Sequence, residues 1–148
     1  MIAGIDLGLR SIHVSLVEGD YIETHSLTVE RGVTRAVELR DLARQLRLVL
    51  PICTVFVEEP VVAGSRNLRV ALGIAQLAGV VMTETDTDCY LVSVSAWKKE
   101  VIGKGNATKE QVSDFLSESF PRYSQVCAGK QDLIDATCIA LYGQAVIV

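Results

Sequence analysis

The sequence predicts an α/β domain in which a mixed five-stranded sheet, three antiparallel strands and then two more, is covered by helices. Three observations carry that expectation. Strand-like runs crowd the first 29 residues, each later strand-like run alternates with a run of helical period, and the chain closes on helices alone, in the order βββαβαβααα. With 148 residues, 49% of them hydrophobic and 22% charged, one domain over residues 1–148 can bury a core of its own. No repeat, low-complexity tract or linker marks a boundary.

Residues 2–7 form an apolar strand, and residues 11–17 alternate with Ile12, Val14 and Leu16 on one face. Glu18-Gly19-Asp20 makes a turn into a third strand over residues 21–29, completing an antiparallel meander. Residues 33–50 place Val33, Val37, Leu39, Leu42, Leu46 and Leu50 at helical spacing, with Arg35, Arg40, Arg44 and Arg47 outside and Pro51 beyond the stop. Residues 53–58, β-branched and aromatic and ended by Pro60, read as an interior strand. The helix over residues 66–83 is apolar nearly all round, with Ala71, Ala75, Ala78 and Met82 on one side and Val70, Ile74, Leu77 and Val81 on another. One side suits its own sheet and the other a second subunit. Residues 89–94 are a further strand and residues 95–102 a short helix ended by Gly103. A capping box at Thr108 and Gln111 opens a helix over residues 108–120, stopped by Pro121, and residues 130–146 make the last helix.

Several function classes are disfavoured. Cys53, Cys89, Cys127 and Cys138 form no CxxC pair and read as structural thiols. His13 and His25 lack a second ligand at zinc spacing, which argues against zinc chemistry and against a histidine triad. The longest relevant uncharged run, from Val70 to Thr83, has 14 residues against the roughly 20 of a membrane span. No basic leader precedes the first strand, so a cytoplasmic location without membrane association is expected. The net charge of −4 argues at face value against a nucleic-acid partner.

Acids stand where strands and apolar helix faces rarely carry them. Asp6 is near the end of the first strand, Glu58 and Glu59 end the interior one, and Asp132 and Asp135 lie three apart at the start of the last helix. Singly, these read as a turn residue, a solvated strand end and helix N-terminal acids. Jointly, they can converge. Asp135 continues onto the stripe of Cys138, Ile139 and Tyr142, where an unpaired carboxylate costs several kcal/mol, and only Lys130 is near it on its own helix. Bound divalent cations answer that cost, and an oxygen-only ligand set points to Mg²⁺ or Mn²⁺.

These residues resemble the RuvC-type Holliday junction resolvases of the RNase H-like superfamily. Gly4-Ile5-Asp6-Leu7-Gly8-Leu9-Arg10-Ser11 is similar to the family's GIDPGxR start, with Leu7 in place of proline. Val57-Glu58-Glu59 resembles its second acidic strand end, and Gln76-Leu77-Ala78-Gly79-Val80 its QxxGV helix. Residues 98–112 are similar to K-x-x-V-x-G-x-G-x-A-x-K-x-x-V, and Asp132-Leu133-Ile134-Asp135-Ala136 to D-x-x-D-A. The blocks run in family order, and the short chain resembles a compact phage-encoded branch, for which the location is host cytoplasm.

The resemblance implies an RNase H-like fold and a metal-dependent, structure-selective endonuclease that nicks four-way junctions as a homodimer. Forks and flaps are further branched substrates. Asp6, Glu58, Asp132 and Asp135 are the implied catalytic ligands for two Mg²⁺ or Mn²⁺ ions, one activating a water for in-line attack and the other stabilising the departing 3′-oxygen. Glu58 directly follows Val57 as the family's acid follows its strand, with neighbouring Glu59 as the alternative ligand. Lys98 and Lys109 match the family's two functional lysines and are the implied DNA-binding residues. Where cellular members carry an aromatic for junction stacking, this chain has Val61.

The charge objection then shrinks. Setting four ligands aside from 18 acids leaves 14 against 14 Lys and Arg, so a local patch of Lys98, Lys99, Lys104 and Lys109 with Arg66 and Arg69 suffices for DNA. Two other classes compete. One is a non-catalytic RNase H-like module that binds DNA or a partner, separated by metal binding. The other is an actin-like kinase or ATPase suggested by Gly8 and Ser11, for which the chain is too short.

Overall fold

The structure, a computed structural model, describes residues 1–32, 34–61 and 66–147. Strands β1 (Ile2–Leu7), β2 (Ser11–Glu18), β3 (Tyr21–Thr28), β4 (Thr54–Glu58) and β5 (Cys89–Val92) form one mixed sheet in the order β3-β2-β1-β4-β5. β2 runs antiparallel to both neighbours, whereas β4 is parallel to β1 and to β5, which makes β4 the interior strand its composition predicts. Helices α1 (Arg35–Val49) and α2 (Leu68–Glu84) cover one face. Helices α3 (Val94–Ile102), α4 (Lys109–Ser119), α5 (Pro121–Cys127) and α6 (Gln131–Val146) cover the other.

Strand alternation divides the core in two. Ala3, Ile5, Ile12, Val14, Val55 and Val57 meet Leu42, Leu46, Leu77 and Val81 of α1 and α2. Ile2, Val17, Phe56 and Val92 meet Trp97, Leu116 and much of α6. Each fully buried Ile or Leu contributes roughly 1.5–3 kcal/mol of transfer free energy. α6 is the central packing element of the second layer, with Leu133, Ile134, Ala136 and the whole run Thr137 to Leu141 buried. Gly4 makes that docking close, because a Cβ there would overlap the Ala136 carbonyl and the Ala140 backbone. The Thr137 hydroxyl and Ser15 Oγ are hydrogen-bonded at 2.9 Å, pinning α6 across β2.

Four expectations need correction. The final run of helices contains one more than the sequence reading, since Pro121, taken as a stop, sits at the first position of α5 where its missing N–H costs nothing. Residues 93 and 94 leave the strand, because Ser93 caps α3 by accepting from the Ala96 N–H. Arg35 is not on a solvated face: it is half-buried and donates to Leu9 O, Gly73 O and Glu38. Ala71 and Ala78 of α2 are buried within their own subunit, so they are not its outward face. The expected start of α1 at Val33 lies outside the described residues, and the helix is capped by Thr34. The capping box at Thr108 and Gln111 is present, and Gly103 ends α3 at φ 84°, a left-handed conformation that glycine adopts freely.

Candidate active site

Register places the acidic residues. Asp6 pairs with His13 across β1 and β2, and His13 pairs with Ser26 across β2 and β3, so all three share the sheet face beneath α6. In the parallel pair, Gly4 sits opposite Phe56 and Ile5 opposite Val57, which carries Glu58 onto the same face beside Asp6. A row Ser26, His13, Asp6, Glu58 therefore crosses one end of the sheet. Alternation sends Glu59 the other way, and it is exposed. The first turns of α6 bring Asp132 and Asp135 over this row, because the close contact at Gly4 seats the helix on β1.

The acids are near enough for the other three to raise the proton affinity of Asp6. Burial and then the charges of Glu58, Asp135 and Asp132 push Asp6 up to about 8, against the pull of the Leu7 backbone N–H. Burial raises Glu58 as well, opposed by the Trp97 indole, whose Nε1 donates to Glu58 Oε2 at 3.0 Å. Burial raises Asp135, opposed by Gln131 Nε2, which donates to its Oδ1 at 2.8 Å, and by Lys98 and Lys109. Asp132 is the outlier: its side chain is 59% exposed, and one oxygen lies 3.4 Å from His13 Nε2. Burial lowers the proton affinity of His13, with Asp132 acting in the opposite sense.

The cation that Asp135 requires comes in part from protein. Lysines on α3 and α4 face it, which a search along its own helix could not find. Lys98 Nζ donates to Ala107 O at 2.8 Å and lies 5.4 Å from the centre of the Trp97 ring, so it is held at the site edge. Lys109 is exposed at the first turn of α4, and Lys99 points to solvent. Beside Glu58 a cavity of about 390 Å³ is lined by Leu7, Glu59, Val61, Val70 and Ile74 among others. Val61, where a stacking aromatic is expected in cellular relatives, is exposed.

Among the described residues, no three His, Cys, Asp or Glu side chains already converge tightly enough to grip one ion. The donor set nonetheless fits a hard divalent cation. It consists of carboxylate oxygens of like charge, and Asp6 is acted on by three other carboxylates in a site that burial makes costly for negative charge. Sequence reading missed His13, Trp97 and Gln131. The alternation of β2 opposite β1 was the signal for His13, and the lone tryptophan beside Lys98 a weaker signal for Trp97. The cysteines are free and inert in character, with burial raising all four thiols.

A mixed five-stranded sheet with helices on both faces and acids ending the adjacent strands β1 and β4 defines an RNase H-like nuclease architecture. The chain belongs to the RuvC family, crossover junction endodeoxyribonucleases, whose model matches residues 2–142. It is similar in fold to RuvC of T. thermophilus in complex with a Holliday junction substrate, with a TM-score of 0.71, 21% identity, and 95% of this chain and 90% of that chain covered. A second Thermus thermophilus RuvC structure matches at 0.67 with 23% identity, covering 95% and 91%. Fowlpox virus resolvase in complex with Holliday junction DNA matches at 0.57 with 16% identity, covering 99% and 100%. No curated protein matches the chain.

Proposed function

We propose that this chain nicks Holliday junctions and related branched DNA by metal-dependent hydrolysis of a phosphodiester, as a homodimer with one nick per subunit. The observation that carries this reading is the convergence of Asp6, Glu58, Asp132 and Asp135 at one sheet end, with Lys98 and Lys109 facing them. Membership of the RuvC family supports it, as do the junction complexes of the two fold relatives. Asp6, Glu58, Asp132 and Asp135 would hold two Mg²⁺ or Mn²⁺ ions. Bound there, the ions supply a more acidic water for attack on phosphorus and charge stabilisation at the leaving 3′-oxygen.

The protein's own groups do the rest. Asp6, fixed by the strand ladder, sets the floor of the site. Trp97 holds one oxygen of Glu58, and Gln131 one oxygen of Asp135, which restricts both carboxylates to a single orientation. Lys98 and Lys109 meet the phosphate backbone and the negative charge that develops on the phosphoryl oxygens. Cleavage of four-way junction, fork, flap and linear duplex, each with Mg²⁺, Mn²⁺ or chelator, tests the reading. Metal-dependent nicks confined to branched substrates are expected. Activity that persists in chelator refutes it, and junction binding without any cleavage favours a non-catalytic DNA-binding module.

A further inference from the structure

Of the four acids, Asp132 has the weakest constraint. Its side chain is 59% exposed in the first turn of α6, and the helix start at Lys130 carries no side-chain cap. A solvated carboxylate on two free torsions samples several rotamers, and ordering it costs entropy whenever it must serve as a ligand. Its contact in the structure is His13, which is only 12% exposed and stands on the sheet directly opposite Asp6. His13 Nε2 lies 3.4 Å from Asp132 Oδ2, while Nδ1 lies 3.2 Å from Ser26 Oγ on the next strand. On the α6 face of β2, His13 stands at the polar end of the strand, between Ser11 and Ser15, with the apolar Val17 further along.

We propose that His13, braced by Ser26, is a positioning residue that holds Asp132 in the metal centre, an inference resting on the metal-nuclease reading above. With the ring proton on Nε2, toward the Asp132 carboxylate, Nδ1 is left to accept from the Ser26 hydroxyl at 3.2 Å. A neutral ring therefore suffices. One carboxylate oxygen then lies against the imidazole, at 3.4 Å, and the other is left for an ion, the arrangement in which an outer partner orients a ligand. The strand ladder makes the clamp rigid, because Ser26, His13 and Asp6 are consecutive members of one cross-sheet row. The clamp links the exposed acid at the helix start to the strand pair that carries Asp6.

Mn²⁺ binding to the DNA-free protein, followed by electron paramagnetic resonance of the free ion, tests this without reference to cleavage. His13→Ala should weaken Mn²⁺ binding about tenfold, the lower end of what loss of an orienting partner costs a metal site. His13→Gln, which keeps a donor at similar reach, should recover most of the loss, and Ser26→Ala should show a smaller one. In an Asp132→Asn background, His13→Ala should add nothing, because the two act as a unit. Melting temperatures identify any variant that has merely unfolded, in which case His13→Gln and Ser26→Ala decide. Wild-type affinity in folded His13→Ala, or a full tenfold loss in the Asp132→Asn background, overturns the proposal. Asp6→Asn is the parallel control: if it too binds Mn²⁺ like wild type, the metal reading itself falls, whereas loss in Asp6→Asn beside wild-type binding in His13→Ala sinks only the clamp.

Discussion

Asp6 sits among three carboxylates in a partly buried site, and the consequences can be worked out for this one residue. Held up at about 8, its carboxyl binds a proton in the folded, ion-free chain at pH values where the unfolded chain has released it, near pH 4. Folded stability is therefore lost as pH rises from about 4 through about 8. Asp6→Asn removes that loss. In chelator at pH 8.5 the variant should be more stable than wild type by at least about 1 kcal/mol, some 2–4 °C in Tm for a domain of this size, with the gap closing toward pH 4. The same variant should lose cleavage by orders of magnitude. A melting temperature below wild type under those conditions contradicts the electrostatics. Glu58 and Glu59 separate by alternation: Glu58→Gln should be inactive and Glu59→Gln close to wild type, and the reverse outcome in a cleavage assay would reassign the ligand. Lys98→Ala and Lys109→Ala should each lower cleavage at least tenfold while leaving the melt nearly unchanged, with Lys99→Ala much milder. Equal cleavage across a salt titration in all three would deny these lysines a role.

At the level of elements, the site depends on two junctions that have no chemistry of their own. Gly4 lets α6 lie against β1, and Gly4→Ala would push the helix carrying Asp132 and Asp135 away from Asp6. Overpacking of this kind typically costs about 1–3 kcal/mol, and cleavage should fall even where the variant still folds. Glu38 ties the other layer together. Its buried carboxylate accepts from Arg10 Nε at 2.9 Å, Arg35 Nη1 at 3.0 Å and the Gly32 N–H at 2.9 Å, and these donors hold it down to about 2. A depressed acid contributes stability that is complete above its unfolded value near 4.5 and lost as pH falls toward 2. Glu38→Gln should thus melt lower than wild type at pH 7, with the difference shrinking below pH 4.5. A gap that stays constant down to pH 2 denies the ion pairs. The strands and the capping box were legible in sequence, because each obeys a local propensity, and the four acids stood out there as candidates because each breaks one. His13, Trp97 and Arg35 were not, since their partners are fixed by cross-strand register and by helices distant in sequence. Pro121 carried two meanings, stop and start, and only packing chose between them.

For the whole molecule, the near-uniform hydrophobicity of α2 admits two explanations, burial under the chain's own C-terminal helices or an unfilled surface. The first is excluded by topology, since α3 to α6 lie across the opposite face of the sheet while α2 packs on α1 and β1. The expectation that Ala71, Ala75 and Ala78 would meet a partner is corrected in detail, because Ala71 and Ala78 turn inward. Outward instead run Leu68, Leu72 and Met82, 55%, 48% and 44% exposed, with Gly79 between them leaving open space. A stripe of large apolar side chains on one helix face, interrupted by glycine, suits close approach of a second copy about a two-fold axis. That symmetry would set two acidic sites in the relation that paired nicks in a four-way junction require. Sedimentation at micromolar concentration should report about twice the 16.1 kDa chain mass. Leu72→Glu, which charges the centre of the stripe without touching the core, should yield a folded monomer that nicks singly rather than in pairs. A wild-type monomer that still makes paired cuts, or a Leu72→Glu variant that remains dimeric, would remove α2 as the interface.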